Sequence, residues 1–321
     1  MRIAKRYSFS RKQEEVICVI VLKNISKNLQ KKVVLNNISF HVSPRENVGI
    51  VGQNGAGKTT LLNTIAGILK PDSGFLRVGG AENALENYQV LKNIVYVSGT
   101  KKQLWEELRV KDSFEHCVKM YQIPIEEAKK RYLELEKVFE IEVFLNEFPK
   151  NLSLGERMRC ELCYAFLVEP ELLLLDEAMI GLDISVKHKI MQYLEKVREE
   201  KKMTIIYTSH NLIEIEKLCD RILVMDEGRM IFDGSVKKIM EEYSPSYHLE
   251  IKVDDMLPDF EDLPLDKISI ENDVIRITYN KQKIDTAQIL RHIQKRSKLL
   301  DVRMFEPDLE GTIKKIYKGV E

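Results

Sequence analysis

Gly52-Gln53-Asn54-Gly55-Ala56-Gly57-Lys58-Thr59 sets two glycines five residues apart, followed at once by a lysine and a hydroxyl residue. An apolar run, 47–51, precedes this stretch and a helix-forming run, 60–69, follows it. Strand, glycine loop and helix in that order is the setting in which the pattern binds phosphate. Glycines let successive backbone N–H groups turn inward around phosphate oxygens, and the helix that follows aims its positive end at the same anion. Lys58 is then expected to reach the β- and γ-phosphates of a nucleotide, and the Thr59 hydroxyl to take one position on Mg²⁺.

The 321 residues suffice for two domains, and 44% hydrophobic residues can build a real core. Fifty basic side chains balance fifty acidic ones, so no overall positive field draws the chain to nucleic acid or to an anionic membrane. The longest apolar run, 16–22, is too short to cross a bilayer, and no cleavable signal is visible, so the chain reads as cytosolic. Five cysteines without a framework of spacings agree with a reducing compartment. Cys160 and Cys163 form a C-x-x-C, but on a helical pattern and with no second pair, which favours buried packing over metal or redox use. Residues 1–14 carry Arg2, Lys5, Arg6, Arg11 and Lys12 and read as a solvated basic tail, with a membrane-surface tether as the alternative.

Runs 15–23 and 33–42 read as strands feeding towards the glycine loop, with further strands at 75–78 and 93–97. Residues 110–145 are helix-forming and interrupted at Pro124. A new helix, 157–168, opens after Asn151-Leu152-Ser153-Leu154-Gly155-Glu156, where Ser153 and Glu156 suit a capping pair. Leu172 to Leu175 form an apolar strand ending in Asp176 and Glu177, and a carboxylate at such a strand end lies where open α/β sheets bind ligands. Asp176 is the expected partner of Mg²⁺, and Glu177 the group to polarise an attacking water. Gly181-Leu182-Asp183 follows, and strand 203–207 ends in Thr208-Ser209-His210, where the imidazole can hold the γ-phosphate or the water. A hairpin over 223–233 and a helix over 236–242 close this region, and Pro245 marks its boundary.

Taken together, residues 21–240 resemble the nucleotide-binding subunit of an ABC transporter: phosphate loop, signature segment, Asp-Glu strand, Gly-Leu-Asp loop and switch histidine stand in the expected order. The resemblance implies an α/β fold, a P-loop NTPase domain of the ABC type over 15–242, with a helical subdomain over about 101–168. It implies ATP and Mg²⁺ as cofactors. Residues Gly52 through Thr59, with Thr60, would contact ATP, Thr59 and Asp176 the metal with Gln103 as a further candidate, and Glu177 and His210 would be catalytic. Two such domains pair head to tail, as a homodimer or heterodimer, so that Ser153 and Gly155 of one reach ATP held by the other and Asp183 couples the sites. The partner implied is a separate integral membrane permease, with the chain cytoplasmic and peripheral on the inner face of the membrane, and no nucleic acid. Segments 103–108, 152–157, 208–220 and 306–310 resemble the ATPases of ABC-2-type export systems. A soluble ABC-type ATPase with a regulatory or nucleic-acid-linked role is the alternative. Zero net charge, a single ATPase domain and the lack of zinc-ligand pairs weigh against it.

The sequence departs from the family pattern at Thr100, where a glutamine senses metal and water, and at Leu29, where an aromatic ring stacks on adenine. Ala178 and Met179 replace Pro and Thr after Glu177, and Leu154 and Glu156 replace Gly and Gln in the signature. Lys58, Asp176, Glu177 and His210 are all in place, so hydrolysis is expected. Residues 245–321 form a small α+β accessory domain: strand 247–253, a hairpin over 267–279 turning at 271–273, helix 284–296, strand 299–305 and helix 309–317. It reads as a dimerisation or regulatory module, with a plain structural extension left open.

Overall fold

Leu172, Leu173, Leu174 and Leu175 stand side by side on one strand yet serve two cores. Leu173 and Leu175 enter one buried cluster, Leu172 and Leu174 another. Successive side chains of a strand point to opposite faces, so this strand lies in a sheet covered on both sides, which is why its sequence is apolar without alternation. The computed structural model describes residues 19–80, 87–99, 102–200, 203–244, 246–254, 260, 263–271 and 274–320. The basic tail, Thr100, Pro245 and the tip of the 267–279 hairpin lie outside the described residues.

In chain order, β1 (Ile20–Leu29), β2 (Lys32–Val42) and β3 (Asn47–Gly52) lead to α1 (Lys58–Ile65), then β4 (Ser73–Val78), the single turn α2 (Tyr88–Leu91) and β5 (Ile94–Ser98). Helices α3 (Val110–Met120), α4 (Ile125–Phe139) and α5 (Leu154–Val168) precede β6 (Leu172–Asp176) and α6 (Ile184–Glu200). After them come β7 (Thr204–Thr208), α7 (Leu212–Leu218), β8 (Arg221–Asp226), β9 (Arg229–Ser235) and α8 (Val236–Tyr243). The last part holds β10 (Ser246–Val253), β11 (Lys267–Glu271), β12 (Val274–Asn280), α9 (Thr286–Gln294), β13 (Leu299–Phe305) and α10 (Leu309–Val320).

The central sheet has the order β5-β6-β7-β3-β8-β9, parallel except for the β8–β9 hairpin. Helix α1 and a separate antiparallel sheet, β2-β1-β4, supply residues to the cluster on one face. β1 and β2, which answer to the runs read at 15–23 and 33–42, therefore pair with each other, and β1 also with β4, rather than with the strand of the glycine loop. Helices α3 to α8 cover the other face. Several helix boundaries differ from the sequence reading, and two of the shifts have a visible cause. α1 stops at Ile65 because Gly67 takes φ 78° and the amides of Gly67 and Ile68 turn back to Thr64 and Asn63. α5 starts three residues early, at Leu154, because Ser153 accepts the Glu156 amide while the Glu156 carboxylate accepts the Ser153 amide at 2.8 Å.

The accessory sheet has the order β11-β12-β10-β13, entirely antiparallel, with α9 packed over Leu249, Ile251, Ile275 and Ile277. One expectation is corrected here. The closing helix α10, read as part of the accessory domain, packs instead on α7 and α8, where Leu309, Ile313 and Ile316 are buried in the ATPase-side core. Its apolar positions recur at three- and four-residue spacing and find their partner in the first unit rather than the second.

Candidate functional site

Because β6, β7 and β3 are adjacent and parallel, their C-terminal ends bring Asp176, Glu177, His210 and the glycine loop to one edge of the sheet. Gly57 takes φ 101°, and a Cβ there would stand 2.6 Å from the Val34 carbonyl oxygen, so the loop admits no side chain at this point. Lys58 is buried, and its Nζ donates to the carbonyls of Gly52 at 2.8 Å and Gln53 at 3.2 Å. Burial lowers its pKa, and the charges of Glu177 and Asp176 act in the opposite sense. Thr59 follows at the exposed start of α1 and Thr60 is half-buried beside it.

Asp176 pairs in register with Ser98 on one side and Thr208 on the other. Its Oδ1 accepts from the Thr208 hydroxyl at 2.6 Å and its Oδ2 from the Tyr96 hydroxyl at 3.0 Å. Burial and the Asp176 charge push the Tyr96 hydroxyl well above the usual tyrosine range, so it keeps its proton and donates it. Glu177 sits one residue past the strand in the left-handed region, φ 54°, and its amide donates to the Thr208 carbonyl and hydroxyl, both at 3.1 Å. That conformation, uncommon for a non-glycine residue, swings its carboxylate out of the sheet. Its Oε1 lies 2.7 Å from Nε2 of His210.

Ser153, Gly155 and Asp183 form a second group. A Cβ on Gly155 would stand 2.3 Å from the carbonyl oxygen of Gly181, so the start of α5 rests directly on the Gly181-Leu182-Asp183 loop. Asp183 accepts the Val186 amide at 2.9 Å and so caps α6. Among the described residues, no hydrogen bond or ion pair joins Ser153, Gly155 or Asp183 to Lys58, Asp176 or Glu177. Gln103 is turned to another use: its Nε2 donates to the Tyr96 carbonyl at 2.6 Å, and its amide donates to the buried Glu161 carboxylate at 2.7 Å. Leu29 is partly exposed at the tip of the β1–β2 hairpin. Cys160 and Cys163 are buried on α5, where burial pushes the Cys160 thiol up to about 12, and no group of metal-ligating residues occurs among the described residues.

Tyr96, Thr208 and Glu161 carry no local sequence pattern that marks them as contributors to this region. Their partners are 80, 32 and 58 residues away along the chain, and only the parallel register of β5, β6 and β7 and the seat of α5 bring them together. Tyr317 was equally hidden. It comes from α10, and its buried hydroxyl lies against the Gln53 backbone of the glycine loop.

The ABC transporter family profile matches residues 35–180. The ABC transporter ATP-binding protein NatA of Bacillus subtilis is 30% identical over 227 residues, 70% of this chain and 92% of that protein. The linearmycin resistance ATP-binding protein LnrL of the same organism is 28% identical over 298 residues, covering 90% of this chain and 94% of LnrL. A molybdate/tungstate import ATP-binding protein, WtpC of Pyrococcus abyssi, is 35% identical over 219 residues, and the chain spans 62% of its length. Among solved structures, the ATP binding subunit of an ABC transporter superposes with TM-score 0.65 at 26% identity, over 70% of this chain and 93% of that one. A dimeric ATP-binding cassette in a post-hydrolysis state with ADP and Pi gives TM-score 0.60 at 28% identity, over 68% and 98% of the two chains. No helix among the described residues is long and apolar enough to cross a membrane. The chain belongs to the ATP-binding subunits of ABC transporters, and it is an ATPase of that family.

Proposed function

We propose that this chain is the motor of an export system. Two ATPase domains close head to tail on ATP, hydrolysis reopens them, and the motion passes to a separate integral membrane permease that holds the chain at the inner face of the membrane. The observation that carries the hydrolytic part is the convergence of Lys58, Asp176, Glu177 and His210 at one sheet edge. Lys58 now holds two carbonyl oxygens, and phosphate oxygens are the same kind of acceptor with more charge. The Asp176 carboxylate and the Thr59 hydroxyl are hard oxygen donors, a set that suits Mg²⁺, so the residues present fit this metal. When bound, Mg²⁺ offsets the charge that develops on the phosphate oxygens.

The roles of the chain's own residues follow. Lys58 and the loop amides orient the nucleotide. Tyr96 and Thr208 hold the Asp176 carboxylate by one hydrogen bond to each oxygen and so fix its direction. Glu177 polarises the attacking water, with His210 fixing the carboxylate from the far side. Ser153 and Gly155 of the second domain complete the nucleotide contacts, and Asp183 relays closure between the two sites. Our reading favours export over import because the alignment with LnrL, an ATP-binding protein of linearmycin resistance, covers 90% of this chain and so runs into the accessory unit, and resistance to a compound is served by expelling it.

Replacing Glu177 by Gln tests the engine. Wild-type turnover, together with an ATP-trapped dimer in the variant on size exclusion, is the expected result. Absence of both turnover and dimer would leave a nucleotide-binding regulatory role.

A further inference from the structure

The accessory sheet is incompletely covered. Helix α9 lies over the two middle strands, and β13 forms an edge with nothing paired to its outer side among the described residues. In register with the buried Leu249 and Ile251 of β10 stand Met304 and Val302 of β13, on the same face of the sheet, yet they are 44% and 38% exposed. An edge strand with exposed apolar side chains is a template for another strand, and folds normally blunt such edges with charge, proline or a bulge. β13 carries one irregularity, at Leu300, where its register against β10 shifts; from Asp301 to Phe305 the pairing with β10 is regular, and no proline or charge stands on the face of Val302 and Met304.

The opposite face shows what the edge is made for. There Arg276, Glu250 and Arg303 follow one another across β12, β10 and β13, and Lys252 pairs in register with Asp301. Charges thus alternate along each row and stop at the edge with Arg303 in one row and Asp301 in the next. The strand reads Leu299-Leu300-Asp301-Val302-Arg303-Met304-Phe305, with Val302 at its midpoint. Two copies laid antiparallel about Val302 bring Asp301 of each opposite Arg303 of the other, with Val302 facing Val302 at the centre. Both rows of alternating charge then continue across the seam unbroken, and the exposed Val302 of each copy is covered. Without the second copy, Arg303 turns back along its own strand to Asp301 at 3.3 Å.

We propose that the outer edge of β13 is a dimer seam that pairs with β13 of a second copy of this chain, joining two four-stranded sheets into one of eight strands. The pairing is two-fold symmetric, the same patch serving on both copies. It requires no nucleotide, so it keeps two ATPase domains together while their nucleotide sites are open.

Sedimentation of the purified full chain without nucleotide tests this. Wild type is expected to be a dimer at tens of micromolar. Asp301→Arg and Arg303→Asp each set like charges opposite one another at two places and should weaken self-association by at least roughly tenfold. Mixed one to one, the two variants should pair again, because each then meets opposite charge at every position; restoration by mixing is not expected of a merely structural defect. Val302→Cys should form a disulfide-linked dimer on mild oxidation, while Ile270→Cys, exposed on the far edge strand β11, should not. This second measurement decides the matter if a charge variant fails to fold. A monomeric wild type, as expected if a different subunit covers β13, overturns the proposal. So do single variants that remain dimeric, or Val302→Cys chains that cross-link no better than Ile270→Cys. The ATP-trapped dimer of Glu177→Gln depends on nucleotide and is read separately.

Discussion

Oε1 of Glu177 lies 2.7 Å from Nε2 of His210, so two residues that each follow the end of a neighbouring parallel strand close a clasp above the glycine loop. Glu177 is held in the left-handed region by its amide bonds to Thr208, which leaves the His210 ring as the partner that fixes its side chain. Replacing His210 by Ala frees that carboxylate without touching the phosphate loop. Turnover is expected to fall about a hundredfold, with KM for ATP changed by no more than a few-fold. Steady-state kinetics on the purified chain decide this, and a loss confined to KM would assign His210 to binding instead.

The contact between Gly155 and Gly181 makes a different prediction. A Cβ added at Gly155 would stand 2.3 Å from the Gly181 carbonyl oxygen, which is backbone and cannot rotate away as a side chain would. Gly155→Ala should push the start of α5 off the Gly181-Leu182-Asp183 loop and cost about 1–3 kcal/mol in stability. Nucleotide binding by the chain's own loop should survive while the ATP-dependent dimer is lost. Fluorescent-ATP titration beside size exclusion separates the two, and an intact ATP-dependent dimer would remove Gly155 from the interface.

What could be read in the sequence divides along physical lines. The glycine loop, the apolar run into Asp176 and Glu177 and the Ser153 cap are local patterns, and each encodes its own backbone. The hairpin of β1 and β2 was visible as two strands but not as a separate sheet, because strand periodicity does not name a pairing partner. Tyr96 gave no signal, since an apolar strand carrying one tyrosine reads as core whether or not the hydroxyl has a carboxylate to hold. Helix α10 is legible as a helix while the core it joins is not, because an amphipathic pattern states that a face is buried and not against what.

Glu161 supplies a pH test. It is 1% exposed, accepts the amides of Gln103 and Leu104 at 2.7 and 3.4 Å, and burial pushes its carboxyl up to about 7. An unfolded glutamate titrates near 4.3, so the folded chain binds the proton more tightly. Stability from this group is complete below about pH 4.3 and is lost as pH rises through 7. Glu161→Gln does not titrate. Its stability relative to wild type should therefore rise by about 1–4 kcal/mol between pH 5 and pH 8, read from urea unfolding. A difference independent of pH would show that the carboxyl is not perturbed.

Trp105 is half-exposed, and its ring centroid lies 5.0 Å from that of His116, on the segment that Glu161 anchors. If the permease docks there, Trp105→Ala should leave the ATPase rate of the isolated chain within about twofold while abolishing its stimulation by the permease in reconstituted vesicles. Full stimulation in the variant would move the docking surface elsewhere.

Helix α10 ties the far end of the chain to the nucleotide site. Leu309, Ile313 and Ile316 sit in the ATPase-side core, Thr312 lies 3.3 Å from the Met240 sulfur, and Lys315 donates to the Ser244 hydroxyl at 3.0 Å. One turn further on, the Tyr317 hydroxyl is buried beside the Gln53 backbone, and burial and the Asp226 charge push it up to about 12. Removing the Ile313 side chain leaves a cavity between α10, α7 and α8, and such truncations cost about 2–5 kcal/mol. The consequence is local: hydrogen exchange of Ile313→Ala should accelerate at the α7 amides, 212–218, and around Gln53, while β10 and β12 keep their protection because their core is separate. Faster exchange confined to the accessory sheet would return α10 to that domain. Exchange at α7 and Gln53 together would instead establish that the last helix supports both the element following His210 and the loop that carries Lys58.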